Sequence, residues 1–181
     1  GNSPSAFSVG AARTFNTVTR EDDRVAAFSS RGPSWYDGTA KPDFTAPGQN
    51  LLSVAAAGST LRAVQEERGN TGNYMHLTGT SMAAAVVSGL ASLTLEANRS
   101  LTPNALKAVL QYSAINMPTE NFLTQGAGEV SGGAIALAQT IDTSAAVGQP
   151  WLLTNATPET VIRKRSLSWR THHDAAASPL C

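Results

Sequence analysis

An α/β fold is predicted from the way short apolar runs alternate with longer helical segments. Residues 6–10, 25–28, 51–54 and 74–77 are short and apolar enough to be strands. Residues 81–97 are almost all small or apolar, over a length that only a helix uses. Thr102-Pro103 followed by Leu106, Val109 and Leu110 gives the i, i+3, i+4 stripe of a helix resting on a sheet.

Taken in order, the strands at 6–10 and 25–28 are separated by the charged turn Arg20-Glu21-Asp22-Asp23-Arg24. Residues 32–48 read as loop, punctuated by Pro33, Gly38, Pro42 and Pro47. After the strand at 51–54, residues 58–72 carry Arg62, Glu66, Glu67 and Arg68 and read as a polar surface excursion. The strand at 74–77 feeds a turn, and the helix from Ser81 to Ala97 follows with Thr78 or Thr80 as its N-cap. Val86, Val87, Leu90, Leu93 and Leu95 make that helix apolar all round, which predicts burial on every side. A second helix opens at Thr102, and a third is expected over residues 132–141. Phe28, Trp35 and Tyr74 are expected to pack in the core or under loops. The character changes after Asp142. Residues 143–181 read as an extension that begins a β module around Trp151 and residues 154–161, then passes into a disordered tail over 163–181.

Composition narrows the function. The 181 residues carry thirteen basic and thirteen acidic side chains, for a formal net charge of zero. A nucleic-acid or membrane-surface partner calls for a one-sided excess, so neither is expected. No apolar run reads as reaching the ~18 residues of a membrane span. The single Cys181 excludes an internal disulfide. The chain opens on Gly1 without a signal-peptide pattern, so the start is expected to have been removed by processing, trimming or truncation. No Cys/His pattern or oxygen-ligand spacing for a metal is present, and no cofactor is expected. Asp43 reads as a loop carboxylate making local hydrogen bonds.

The chemistry concentrates at Gly79-Thr80-Ser81-Met82-Ala83, a hydroxyl-rich turn that tips into the long apolar helix. A serine there meets free backbone N–H groups and the positive end of the helix dipole, both of which favour developing negative charge. That setting suits a nucleophile whose reaction passes through an oxyanion.

These residues resemble the nucleophile segment of the subtilisin-like serine peptidases. Other blocks agree in order: Ser3-Pro4-Ser5-Ala6-Phe7-Ser8-Val9-Gly10-Ala11, Val25-Ala26-Ala27-Phe28-Ser29-Ser30-Arg31-Gly32-Pro33, Lys41-Pro42-Asp43-Phe44-Thr45-Ala46-Pro47-Gly48, and Gly126-Ala127-Gly128 followed by Ala134 and Ala138. The likeness runs over residues 3–140. It implies a subtilisin-like, mostly parallel sheet with packed helices, of which residues 1–142 form the C-terminal half. It also implies Ser81 as nucleophile with its own N–H as half of an oxyanion hole. Thr80 would assist, Gly79 would turn the backbone beneath the substrate, and the protein would be exported. The chain departs from the family at Ala84-Ala85, where serine or threonine and then proline usually follow. Alanine is the better helix former, so the helix is expected to survive.

The family's triad Asp and His segments and its oxyanion Asn fall upstream of Gly1, and Asn2 is not read as that Asn. The available imidazoles are His76, His172 and His173. A serine needs a base within about 2.6–3.2 Å. His76 would serve from the preceding strand, and His172 or His173, with Asp174, from a tail folded back over Ser81. Three functions follow as expectations. The first is peptide-bond hydrolysis through an acyl-enzyme on Ser81. The second is slow hydrolysis of activated esters with an improvised base. The third is an inactive remnant that self-associates or binds. The implied partners are a peptide or ester substrate and either a second copy or the missing N-terminal half of the domain.

Overall fold

The computed structural model of the chain describes residue 3, residues 6–141 and the backbone of residues 152–154, 159–162 and 168–170. Asn2, Trp151, His172, His173 and Cys181 lie outside the described residues. The strands are β1 (Val9–Arg13), β2 (Arg24–Val25), β3 (Phe44–Pro47), β4 (Leu51–Val54) and β5 (Tyr74–Leu77). The helices are α1 (Thr60–Glu67), α2 (Thr80–Ala97), α3 (Pro103–Tyr112), α4 (Phe122–Gln125) and α5 (Gly133–Ala138). β6 (Leu152–Thr154), β7 (Glu159–Ile162) and β8 (Ser168–Arg170) pair antiparallel in that order. β8 falls inside residues 163–181, the stretch expected to be a disordered tail.

β1 is central, parallel to β3 and antiparallel to the short β2. β3 was not expected, because Pro42 and Pro47 read as loop breakers. Pro42 precedes the strand and Pro47 is its last residue, and Phe44, Thr45 and Ala46 are fully buried. Burial on both faces removes the alternation that marks a strand. β1 starts three residues later than predicted, because the Ser8 N–H donates to the Asp43 carboxylate at 2.7 Å instead of a ladder carbonyl. The predicted strand at 25–28 shortens to two residues, and the Ser29 N–H folds back onto the Ala26 carbonyl at 2.9 Å. β4 and β5 form the antiparallel hairpin that delivers the chain to α2.

α2 crosses β1 and β3, with α3 and α5 beside it. Ala11, Phe44, Ala46, Ala83, Val87, Leu106, Val109, Leu110, Ala134 and Ala138 form the shared core. α3 begins as predicted: Thr102 accepts the Ala105 N–H at 3.2 Å and Pro103 takes the first turn. α1 was missed, and its residues lie in the stretch read as polar loop. Ser59 caps it, Arg62 pairs with Glu66 at 2.7 Å, and none of its residues is buried.

The expectation of a helix buried on every side is overturned. Only Ala83, Val87 and Thr94 of α2 are buried, while Leu93 is 58% exposed. Apolar residues on all faces leave the sequence unable to say which face meets the sheet. Contrary to expectation, α2 is also long and apolar enough, with a mean hydropathy of 1.3 over 18 residues, to meet the length and composition of a membrane span. Phe28, Trp35 and Tyr74 are likewise exposed rather than packed.

Candidate active site

The turn from β5 into α2 is built by backbone contacts. Gly79 is the N-cap, extended at φ 159° and ψ 160°, and it offers no side-chain cap. Its carbonyl accepts the Met82 N–H at 3.1 Å and the Ala83 N–H at 3.4 Å. Neither threonine caps the helix as expected. Thr78 Oγ1 accepts instead from the Asn50 N–H at 2.9 Å, and Thr80 lies inside the helix.

Ser81 is therefore the second helical residue, and it is exposed. Among the described residues its hydroxyl has no partner, and the N–H groups of Thr80 and Ser81 find no acceptor. A nucleophile-type oxygen and two unsatisfied N–H donors thus share one exposed helix end, where the dipole adds attraction for negative charge.

The turn is held from below by the segment that leaves β3. The Gly79 N–H donates to the Gly48 carbonyl at 2.8 Å, and the Gly48 N–H donates to Ala12 at 3.0 Å. A side chain at Gly48 would put its Cβ 2.7 Å from Ala11 Cβ, 3.0 Å from the Gly79 carbonyl and 3.1 Å from Ala83 Cβ. Only glycine fits between β1 and the nucleophile turn. Gly48 and Asn50 are positioning residues that sequence reasoning passed over. The first lay in plain view as the last residue of the Lys41–Gly48 block.

His76 stands on β5 opposite Leu52, exposed, on the face away from the buried Met75. Its Nδ1 lies 3.2 Å from the Asn50 carbonyl oxygen. The structure thus brings Gly79, Thr80 and Ser81 together and directs His76 to the Gly48–Asn50 turn.

Asp43 is buried and takes three donors: Lys107 Nζ at 2.7 Å, Ser8 N–H at 2.7 Å and Lys41 Nζ at 2.9 Å. Burial pushes its carboxyl up, but the bonds from Lys107, Ser8 and Lys41 together outweigh burial and hold it below the usual carboxylate range. Its bonds reach well beyond its own loop, to α3 and to the entry of β1. Among the described residues, no group of three or more His, Cys, Asp or Glu side chains is placed to hold a metal.

A serine exposed at a helix N-terminus beside a parallel strand pair is the arrangement on which α/β serine hydrolases are built. Residues 1–147 match the model of the Subtilase family, and the chain belongs to that family. It is 38% identical over 131 residues to serine protease AprX of Bacillus subtilis (strain 168), covering 72% of this chain and 29% of AprX. It is 37% identical over 92 residues to the subtilisin-like protease SBT3.9 of Arabidopsis thaliana, covering 50% of this chain and 11% of that protein. Among solved structures, the CspB protease of Clostridium perfringens aligns with a TM-score of 0.56 at 27% identity, over 77% of this chain and 29% of that one. Fervidolysin from Fervidobacterium pennivorans, a keratinolytic enzyme related to subtilisin, aligns with a TM-score of 0.58 at 25% identity, over 84% of this chain and 21% of that one. The chain thus spans less than a third of each of these relatives.

Proposed function

We propose that this chain supplies the nucleophile of a serine peptidase, with Ser81 as the attacking residue. The observation that carries the reading is the exposed, unpartnered Ser81 hydroxyl beside the free N–H groups of Thr80 and Ser81. Ser81 Oγ attacks the peptide carbonyl carbon and gives its proton to a base. The carbonyl oxygen becomes an oxyanion facing the Ser81 N–H, the C–N bond breaks as the amine takes the proton, and water then hydrolyses the acyl-enzyme. Losing one such N–H donor elsewhere lowers the rate about 10²–10³-fold. The base and the second oxyanion donor come from an upstream part of the catalytic domain, which would also cover the exposed apolar face of α2.

A fluorophosphonate probe tests this reading. Labelling is expected when the upstream part is supplied in trans, and is abolished by Ser81→Ala. Labelling that survives Ser81→Ala overturns it. The exposed face around Leu93 also favours a second reading, an inactive remnant that self-associates. A stable dimer that never labels, even with the upstream part present, selects that reading.

A further inference from the structure

Asp23 and Glu129 form a buried acidic pair that the nucleophile turn does not use. They are 2% and 1% exposed. Among the described residues, Asp23 Oδ1 and both Glu129 oxygens accept no hydrogen bond from any N–H or O–H group. Among the described residues Arg20 is the cation that faces Glu129: its Nη1 lies 3.6 Å from Glu129 Oε2, beyond hydrogen-bond reach, and donates instead to the Val130 carbonyl at 3.2 Å. Two ionised carboxylates without donors would be strongly destabilising in such a site. A proton on one of them supplies the missing donor.

Arg20 of the β1–β2 turn joins the two segments through its contacts with Glu129 and Val130, and the backbone fixes each segment in turn. Glu129 exchanges hydrogen bonds with Ile115 at 2.8 and 2.7 Å, and the Val130 N–H donates to Thr45 of β3 at 2.8 Å. Gly128 before it, at φ 124°, has no room for a side chain: a Cβ would lie 2.4 Å from the Ile115 carbonyl oxygen. Asp23 sits where the β1–β2 turn enters β2, with its N–H on the Arg20 carbonyl at 3.3 Å.

We propose that Asp23 and Glu129 share one proton and act as a pH-sensitive latch joining the β1–β2 turn to the Gly128–Val130 segment. Glu129 holds the proton and donates it to the Asp23 carboxylate. Burial first, and then the bond to Asp23, pushes the Glu129 carboxyl up to about 7, with Arg20 offsetting part of the rise. The other charged groups around the latch are directed elsewhere. Arg24 donates to the carbonyls of Glu21 and Asp23, and Glu120 accepts the Val25 N–H at 3.1 Å. β3 and the Ile115 strand-like segment present Thr45 and Ile115, which do not titrate.

An ordinary Glu releases its proton near 4.5. The folded chain therefore holds the proton between 4.5 and about 7, where the unfolded chain has lost it. The latch is at full strength below pH 4.5 and is lost as pH rises through 7. The folding equilibrium constant falls by a factor on the order of 10² across that window.

The test is urea denaturation of the full chain from pH 4 to 8.5, with and without Glu129→Gln. The Gln amide donates to Asp23 at every pH, so the variant is expected to lose the ~10²-fold fall that the native chain shows. Parallel curves for the two overturn the proposal. Should Glu129→Gln not fold, carboxyl carbon-13 spectra of the native chain decide. A glutamate titrating near pH 7 that moves to lower pH in Asp23→Asn supports the latch. A full set of carboxyls titrating below about pH 5.5 overturns it.

Discussion

Replacing Asp43 with alanine is expected to unlatch the entry of β1 from α3. The carboxylate is 8% exposed and pairs with two ammonium groups, Lys41 and Lys107, whose side chains are 9% and 16% exposed. Removing one member of a buried ion pair costs about 3–5 kcal/mol, mostly because the remaining charge is stranded. The low end applies. Both lysines keep the Ala6 carbonyl as an acceptor, at 3.2 and 3.3 Å, and Lys107 is close enough to solvent to swing out. The Ser8 N–H loses its 2.7 Å acceptor as well. Asp43→Ala should therefore lower stability by about 3 kcal/mol at pH 7. Against a typical total of roughly 5–15 kcal/mol that is a large fraction. Adding Lys41→Met should recover about 1 kcal/mol or more, because the stranded charge goes with it. The loss also depends on pH. The Asp43 carboxyl sits below its ordinary 3.8, so its stabilisation is full above that value and fades as pH falls further. Urea unfolding followed by circular dichroism at pH 7 and pH 3 measures both effects. A loss below about 1 kcal/mol at pH 7, or no recovery in the double variant, would refute the reasoning.

Two further substitutions test how the site and the core are supported. Gly48→Ala would place a methyl 2.7 Å from Ala11 Cβ and 3.0 Å from the Gly79 carbonyl. It should destabilise by about 1–3 kcal/mol and slow fluorophosphonate labelling of Ser81 in the reconstituted site. Unchanged stability and labelling would show that the turn does not rest on Gly48. Leu110→Ala, at a fully buried position, should cost about 2–5 kcal/mol, and Leu93→Ala, at 58% exposure, no more than about 0.5 kcal/mol. Equal losses in thermal or urea unfolding would mean that α2 is covered on its outer face.

What the sequence made legible was local. Thr102-Pro103 and the Leu106, Val109, Leu110 stripe describe α3 because a cap and a periodicity of 3.6 are properties of neighbouring residues. β4 and β5 were legible for the same reason, each as a short apolar run between turn residues. β3 was hidden because Phe44-Thr45-Ala46 is buried on both faces and flanked by prolines, so neither alternation nor turn grammar marks it. α1 was hidden because its stability is local and polar, in the Ser59 cap and the Arg62–Glu66 pair.

The candidate site divides along the same line. Ser81 at a helix start is a one-dimensional pattern, and the Gly79–Ala83 block carries it. The parts that hold it in place come from contacts distant in sequence, and no pattern in one segment reports the other. Asn50 reaches Thr78 across 28 residues, and the Gly79 N–H reaches the Gly48 carbonyl, whose own N–H reaches Ala12. α2 shows why burial is the hardest property to read. Its residues are apolar on every face, so the sequence reports that the helix wants covering without reporting by what. Ala83 and Val87 meet the sheet in one core with Ala11 of β1 and Ala46 of β3. The polar Ser81, Ser88, Ser92 and Glu96 are all exposed, while the exposed Ala84, Ala85 and Leu93 are apolar residues that the sheet does not cover. The Ser81 hydroxyl is free at the N-terminus of the same helix, so the orientation that chose the buried face also set which way the nucleophile turn opens.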